Sequence, residues 1–280
     1  MMRRVQGMAA LLLAALGLAS GLARAESGYY FSVLNQRSPV LTAEYWNPIL
    51  AYVSKKSGVE LKLKMGKTAP ETTALTLRGE AQFAYTNHLF VPDRVKVGWQ
   101  VIARPDTNGI RGQLVVPAGS AIMRLEDLAG QTVVFPSAEA FAGYKLPMEE
   151  LAKRNIKVVA IFAGNQEGAI AQLKVGRTVA AGVNENVIAA FGVRENFQYR
   201  VLWSSESFKD LPVMVSPLVP QADAQAVARA FAEMRSDPEG WRILSSGAAL
   251  LKLDRPVGFL HADDRDYVNY REFYRTTGQR

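Results

Sequence analysis

Residues 131–155 read QTVVFPSAEAFAGYKLPMEELAKRN, and their pattern predicts a strand, a turn and a helix in succession. The apolar run at 131–135 is typical of a buried strand. Residues 144–155 combine periodic apolar positions with charged ones, as in an amphipathic helix. A helix that begins directly after a strand offers backbone N–H groups and the positive end of its dipole, so this stretch suits an anion.

The loop between this strand and helix has an unexpected composition for an anion site. Its residues are Ala140, Phe141, Ala142, Gly143 and Tyr144, and none of the first four has a hydroxyl group. Gly143 and the neighbouring amides can still bind an oxyanion through backbone donors, while Phe141 would supply an apolar wall. We predict that the loop lines a binding cleft, because strand ends in α/β sheets commonly bind ligands. The structural alternative is an ordinary turn with Phe141 in the core.

The alternation of short apolar runs with amphipathic runs extends along the chain. We expect strands at 29–34, 59–65, 82–85, 99–104, 112–117, 131–135, 157–162, 178–183 and 199–203. We expect helices at 42–57, 70–78, 144–155, 166–175, 185–191, 221–234, 238–244 and 267–276. Strands and helices in this order predict an α/β fold with mostly parallel sheets.

Residues 1–25 have the pattern of a secretory signal peptide. Arg3 and Arg4 precede an apolar run at 8–18, and Ala23 and Ala25 flank a small-residue cleavage site. The apolar run is too short to span a membrane. We therefore expect export to the periplasm, with cleavage near Ala25.

Cleavage changes the charge of the chain. The whole sequence carries a formal charge of +7, and removing the three arginines of the first 25 residues leaves 7 − 3 = +4. Such a mild positive charge does not indicate a nucleic-acid-binding protein. The chain has no cysteine, which excludes disulfides, a thiolate nucleophile and a lipid-modified cysteine.

The length of the remaining chain suggests two α/β lobes joined by two crossings. The breaks are predicted at the turns 106–111 and 210–212, which gives a first lobe of 26–105 with 213–280 and a second lobe of 106–212. A ligand would then bind in the cleft between the lobes.

Several runs together resemble the phosphate-, phosphite- and phosphonate-binding proteins of ABC transporters. They are VVFPSAEAFAGYKLP at 133–147, FAGNQEGAIAQLKVGRTVAAGVNENV at 162–187, DPEGWRIL at 237–244 and HADDRDYVNYREFY at 261–274. The resemblance covers nearly all of the chain after the signal peptide, and the runs keep the family's order. It implies a two-lobed type 2 periplasmic binding fold that closes on a small solute. It also implies delivery to a membrane permease, with no cofactor.

The chain departs from the family pattern at the places where phosphonate binders hold their ligand. Ala140–Gly143 stands where those members usually have Ser-x-Ser-Gly, and Gln166 falls at or near a common histidine place. Ala180 stands where many members have aspartate. The resemblance therefore implies the fold, while these departures predict a pocket that is less polar on this side than a phosphonate site.

Other candidate ligand residues follow predicted strands. Tyr85, Thr86 and Asn87 come just after the strand at 82–85, where an aromatic ring and polar donors suit a cleft wall. Thr86 or Asn87 can instead simply cap a following helix. His88 is the weaker candidate, since a lone histidine is more often structural.

Arg37 and Tyr45 are candidates near the first strand and helix. The guanidinium fork of Arg37 matches a carboxylate or a phosphate, although a solvated loop arginine is the alternative. Tyr45 stands where the family has a cleft residue, but it also belongs to the apolar stripe of the helix.

Gln166 and Asn184 are candidates at two further strand ends. Gln166 is expected to contact the ligand, because it stands near the family's histidine place. Asn184 can equally be a helix N-cap. Glu167 and Glu185 beside them would repel a dianion, which favours a less charged ligand or one that carries an amine.

The sequence thus predicts a monomeric periplasmic solute-binding protein that serves an ABC permease. The same fold can instead report its ligand to a membrane histidine kinase, and the sequence does not separate these two partners. An enzyme is the less favoured class, since we find no G-x-S-x-G, H-E-x-x-H or P-loop motif. The acidic residues at 263–266 lack the spacing of a calcium loop, and no metal is predicted.

Overall fold

The chain is described by a computed structural model that covers residues 28–279. The predicted signal peptide and its cleavage site lie outside the described residues. In chain order the strands are β1 (Tyr29–Val33), β2 (Leu61–Lys64), β3 (Phe83–Tyr85), β4 (Gln100–Pro105), β5 (Gly112–Pro117), β6 (Thr132–Phe135), β7 (Val159–Phe162), β8 (Ala180–Asn184), β9 (Tyr199–Ser204), β10 (Val213–Val215) and β11 (Phe259–His261).

The helices alternate with these strands. They are α1 (Pro39–Ser57), α2 (Ala69–Leu77), α3 (Pro92–Val95), α4 (Leu146–Lys153), α5 (Gln166–Lys174), α6 (Glu185–Glu195), α7 (Gln221–Glu233), α8 (Pro238–Leu251) and α9 (Val268–Thr277). Among residues 28–279, none of the helices is long and apolar enough to cross a membrane.

The first long helix shows how local chemistry sets the element bounds. The Ser38 hydroxyl accepts from the N–H of Leu41, and Pro39 occupies the first helical position, where its missing N–H costs nothing. Gly58 ends the helix with a positive φ of 69°. The helix therefore begins three residues before the position predicted from the sequence.

The strands form two separate mixed sheets. The first has the order β11-β4-β10-β3-β1-β2 and the second the order β7-β6-β8-β5-β9. Four of the six strands in the first sheet and four of the five in the second run in one direction, which confirms the expectation of mostly parallel sheets, but each sheet also contains strands that run the other way. In the first sheet β10 is antiparallel to both β3 and β4. In the second sheet β5 is antiparallel to both β8 and β9.

The chain passes between the two sheets at residues 106–111 and again at 205–212. The two crossing segments pair with each other, since Ile110 and Phe208 exchange backbone hydrogen bonds of 2.7 and 2.9 Å. The result is a two-lobed α/β fold. Both crossings therefore run side by side between the lobes.

Several polar contacts join the lobes away from the crossings. The N–H of Ala69 donates to the carbonyl of Gly164 at 3.0 Å, and the N–H of Glu167 donates to the carbonyl of Gln36 at 3.1 Å. Another contact is an ion pair between Arg94 of α3 and Glu139 of the loop after β6. The lobes therefore touch in this structure.

An aromatic contact adds to these polar ones. Phe141 belongs to the second lobe by sequence, yet it is only 2% exposed and lies in the apolar core of the first. Its ring centroid lies 4.3 Å from that of Tyr270 and 4.8 Å from that of Phe208. Helix α9 thereby packs against both lobes beside the two crossings.

Candidate functional site: a cleft between the lobes

The largest cavity described is a cleft of about 580 Å³ between the two lobes. The segment after β1, helix α1 and the end of β3 line it from the first lobe. The N-terminus of α6 lines it from the second lobe, and both crossings and the chain after α8 complete it. Because β1 and β3 are parallel neighbours, their carboxyl ends deliver side chains to the same edge of the sheet.

Arg37 supplies a cation to this cleft. Its guanidinium makes one long hydrogen bond, 3.5 Å from Nη1 to Oε1 of Gln36, and its Nε is buried with no partner. Burial lowers the pKa of Arg37, while Glu167 opposes that effect from a distance. Glu167 is itself paired with Arg194 at 2.7 Å. Arg37 therefore lines the cleft with no ion-pair partner among the described residues.

An aromatic wall lies beside Arg37. Tyr45, Trp46 and Tyr85 all line the cleft, with the rings of Trp46 and Tyr85 centred 4.7 Å apart. Burial raises the pKa of Tyr45 to about 12, so its hydroxyl stays protonated and can donate. The Tyr45 ring lies so close to Gly247 of α8 that an added Cβ there would be 2.7 Å from the ring. A glycine is thus needed at that position to keep Tyr45 in place.

Two acidic side chains, Asp210 and Glu185, also line the cleft. Burial raises the pKa of Asp210 to about 6. Hydrogen bonds from the N–H of Leu211 and, at 3.3 Å, from the hydroxyl of Thr107 lower this pKa but do not outweigh burial. Burial also raises the pKa of Glu185, whose carboxylate is 4.0 Å from the Nε of Arg111. Asp210 has no ion-pair partner among residues 28–279, and Glu185 has only this long contact.

Asn184 and Gln166 lie close together because they are hydrogen-bonded to each other. The Oε1 of Gln166 accepts from the N–H of Asn184 at 3.0 Å, and the Oδ1 of Asn184 caps α6 by accepting from the N–H of Asn186 at 2.9 Å. Asn184 also lines the cleft, whereas Gln166 lies behind it. The Gln166 oxygen is therefore engaged in holding the end of β8.

The loop 140–144 lies outside the large cleft. Residues 141–145 form a single π turn, in which the carbonyl of Ala140 accepts from both Tyr144 and Lys145. The sequence predicted a helix from 144, but α4 begins only at Leu146. Ala140, Phe141 and Ala142 line a cavity of about 20 Å³, too small for a solute.

Glycines let this turn lie directly on the second sheet. An added Cβ at Gly112 would lie 2.4 Å from the carbonyl oxygen of Ala142, and one at Gly182 would lie 2.4 Å from that of Gly143. Tyr144 leaves the turn on the side of the sheet, where its ring packs against Phe135.

The remaining predicted residues are buried beside the first sheet. The Thr86 hydroxyl accepts from the N–H of His88 at 3.1 Å. The Nδ2 of Asn87 donates to the hydroxyl of Tyr270 at 3.4 Å, and its Oδ1 is buried with no partner. Asn87 lines the small cavity next to the loop, and Thr86 lies among the buried threonines of α2.

Of the twelve residues predicted from the sequence, the structure thus brings Arg37, Tyr45, Tyr85 and Asn184 together at the large cleft. Sequence reasoning missed Trp46 and Asp210 there. Trp46 looks like a core residue of α1, and Asp210 lies in a crossing turn that was used only as a lobe boundary. Glu185 was considered only as a repulsive charge.

The described residues contain no group of three or more histidine, cysteine or acidic side chains that is arranged to hold a metal ion. The cleft lining offers hydrogen-bonding groups, charges and aromatic surfaces.

Comparison with known families decides what kind of protein has this cleft. The model of the family described as ABC transporter, phosphonate, periplasmic substrate-binding protein matches residues 31–267. The chain belongs to this family. Phosphonate-family substrate-binding proteins are periplasmic, bind a small ligand and deliver it to an inner-membrane permease. They are transport proteins rather than enzymes.

Solved structures agree on the fold. A binding protein component of an ABC phosphonate transporter from Pseudomonas aeruginosa is 15% identical, with a TM-score of 0.77 over 89% of this chain and 86% of that one. PhnD1 from Prochlorococcus marinus, solved with methylphosphonate, is also 15% identical, with a TM-score of 0.76 over 91% of this chain and 100% of that one. No curated protein sequence matches the chain. The likenesses establish the two-lobed type 2 fold.

Proposed function

We propose that this chain captures a small organic anion in the cleft between its lobes and presents it to an ABC permease. The environment of Arg37 is the main support for this proposal. Arg37 is a cation in a large cleft, its buried Nε has no partner, and Glu167, the acid with the largest electrostatic effect on it, is already paired with Arg194. Burying such a group without a counter-charge is costly, so an anionic ligand is the natural partner.

The cleft also has the other features of a solute site. Its volume of about 580 Å³ lies in the range of small-molecule pockets. Tyr45, Trp46 and Tyr85 provide apolar surface and hydroxyl donors, and they come from the lobe that also holds Arg37. Asn184 and Asn186 face them from the second lobe. A ligand held between the two sets would favour the closed arrangement by mass action.

The helix N-terminus at the cleft contributes little to anion binding in this account. The N–H of Glu185 donates to the carbonyl of Arg111 at 3.0 Å, and that of Asn186 is used by the cap. We therefore expect side-chain donors, above all Arg37, to bind the anion here, whereas backbone amides bind it in a phosphate loop.

We also propose that the chain acts as a monomer after cleavage near Ala25. A membrane histidine kinase as partner has no specific observation in its favour, since the family consists of transport proteins.

A thermal-shift panel tests the proposed function. Alkylphosphonates, phosphate, carboxylates and amino acids are added to the purified protein, and the midpoint of unfolding is recorded for each. At least one small anion is expected to raise the midpoint in proportion to ln(1 + [L]/Kd). Arg37→Ala should abolish this shift, whereas Arg78→Ala, at an exposed site on the end of α2, should keep it. A panel without any shift, together with native mass spectra without bound solute, would refute the proposal.

A further inference from the structure

The cleft presents two opposite charges that the protein leaves unneutralised. Arg37 and Asp210 both line the cleft, and Arg37 lowers the pKa of Asp210 from a distance, but their charged atoms are more than 4.0 Å apart, so they form no ion pair. The carboxylate of Asp210 accepts hydrogen bonds from the N–H of Leu211 at 2.7 Å and from the hydroxyl of Thr107 at 3.3 Å. Buried charges without partners are unfavourable, and both are retained here.

The charges of the whole lining balance. Arg37, Lys252 and Arg255 are its basic residues, and Asp210, Glu185 and Asp254 are its acidic residues. Three positive and three negative side chains give a net charge of zero. A dianion would gain from Arg37 but would be repelled by Asp210 and Glu185 at short range.

The charged groups that are not exposed differ from those at the rim of the cleft. Lys252, Asp254 and Arg255 are exposed at the rim, where solvent screens them. Of the groups that are not exposed, Arg37 can bind an acid group and Asp210 with Glu185 can bind a cation. Tyr45, Trp46 and Tyr85 stand beside them, and their ring faces attract an ammonium group.

We propose that the ligand is a zwitterion, a small amino carboxylate whose carboxylate binds Arg37 and whose ammonium group binds Asp210, with Glu185 nearby. This inference rests on the proposed function and names the substrate class of the same site. A singly charged carboxylate matches the guanidinium fork, and the ammonium group supplies the counter-charge that Asp210 lacks. The bound ligand would leave no unpaired charge at the base of the cleft.

The test compares solutes that differ only in the amine. Dissociation constants are measured by calorimetry for a series of α- and ω-amino acids, for the carboxylates of the same carbon skeleton and for the alkylphosphonates of the same length. The best amino carboxylate is expected to bind roughly ten- to a hundredfold more tightly than its deaminated analogue, the effect of one charged hydrogen bond.

Variants locate the effect. Asp210→Asn should remove most of the preference for the amine and leave the affinity for the deaminated carboxylate within a few-fold. Asp254→Asn is the matched control, because it removes one negative charge from the exposed rim. Glu185→Gln should reduce the preference partly, and it provides a second variant if Asp210→Asn fails to fold.

The outcomes separate this inference from the function on which it rests. A preference for amino carboxylates that Asp210→Asn removes supports both. Carboxylates or phosphonates that bind through Arg37 as tightly as the amino compounds overturn the zwitterion and leave the anion-binding function intact. If no arm of the panel binds, both fail.

Discussion

At the scale of the residue, the cleft holds charges that are unfavourable for stability. Asp210 has its pKa raised from 3.8 to about 6 by burial, and its hydrogen bonds to Leu211 and Thr107 only partly offset this. A group kept in such an environment without an ion-pair partner is a candidate for function. The sequence around Asp210 does not predict this role, because a single aspartate in a turn before Pro212 is also typical of an ordinary loop.

The raised pKa of Asp210 predicts a pH-dependent gain of stability in Asp210→Asn. Since the folded pKa lies above the ordinary one, the buried carboxylate destabilises the folded protein above pH 6 and has no such effect below pH 4. Two pKa units correspond to at most ~3 kcal/mol in the free energy of unfolding. Urea unfolding should show the variant to be more stable than the natural protein at pH 8, with the gain vanishing near pH 4.

Asp254→Asn serves as the control for this measurement, because it also removes one carboxylate, but from the exposed rim of the cleft. A loss of stability in Asp210→Asn at pH 8 would contradict our account of Asp210 as an unfavourably buried charge.

At the scale of the element, the strand–turn–helix pattern at 131–155 predicted the right elements and missed the role of the turn. Apolar periodicity reports which residues are buried, and Phe141 is indeed buried. It does not report that the partners of Phe141 are Phe208 and Tyr270, which lie far away in the sequence. The three-residue strand β11 was also missed, because so short a run carries no periodicity.

Restoring hydroxyls to this turn should not restore a phosphonate site. Ala140 and Ala142 are 6% and 4% exposed, and the cavity beside them holds only about 20 Å³. In Ala140→Ser with Ala142→Ser, each buried hydroxyl without a partner should cost about 1–3 kcal/mol in the free energy of unfolding. Calorimetry with methylphosphonate should show no gain in affinity over the natural protein. Tight methylphosphonate binding by the double variant would contradict our placement of the ligand at the larger cleft.

At the scale of the whole molecule, the alternation of strands and helices predicted the α/β class, and the length of the chain predicted the two lobes. It did not predict the strand order, because the entry of β10 between β3 and β4 depends on pairings across more than a hundred residues. For the same reason the sequence could not show that Arg94 of one lobe meets Glu139 of the other.

The contact between Arg94 and Glu139 should hold the lobes together over a wide pH range. Burial raises the pKa of Glu139, but the hydrogen-bonded Arg94 and the His88 imidazole, whose Nδ1 is 3.4 Å away, outweigh it and hold the pKa at about 2. The carboxylate is therefore charged throughout the range in which the protein works. Glu139→Gln should shift the ligand-free protein toward an open form, seen as a larger radius of gyration in solution scattering, and weaken ligand binding several-fold.

The matched control for this experiment is Glu150→Gln. Glu150 pairs with Arg154 at 2.6 Å within the second lobe, so its loss should leave the lobe arrangement unchanged. Equal scattering curves for Glu139→Gln and the natural protein would show that the ion pair does not control closure.

In the proposed function, Arg37 binds an anionic solute in the cleft between the lobes. Its most direct test is a calorimetric titration of the best solute from the panel into the natural protein, Arg37→Ala and Arg78→Ala. We predict a dissociation constant raised about ten- to a hundredfold in Arg37→Ala and unchanged in Arg78→Ala. A solute that binds Arg37→Ala as tightly as the natural protein would contradict the account.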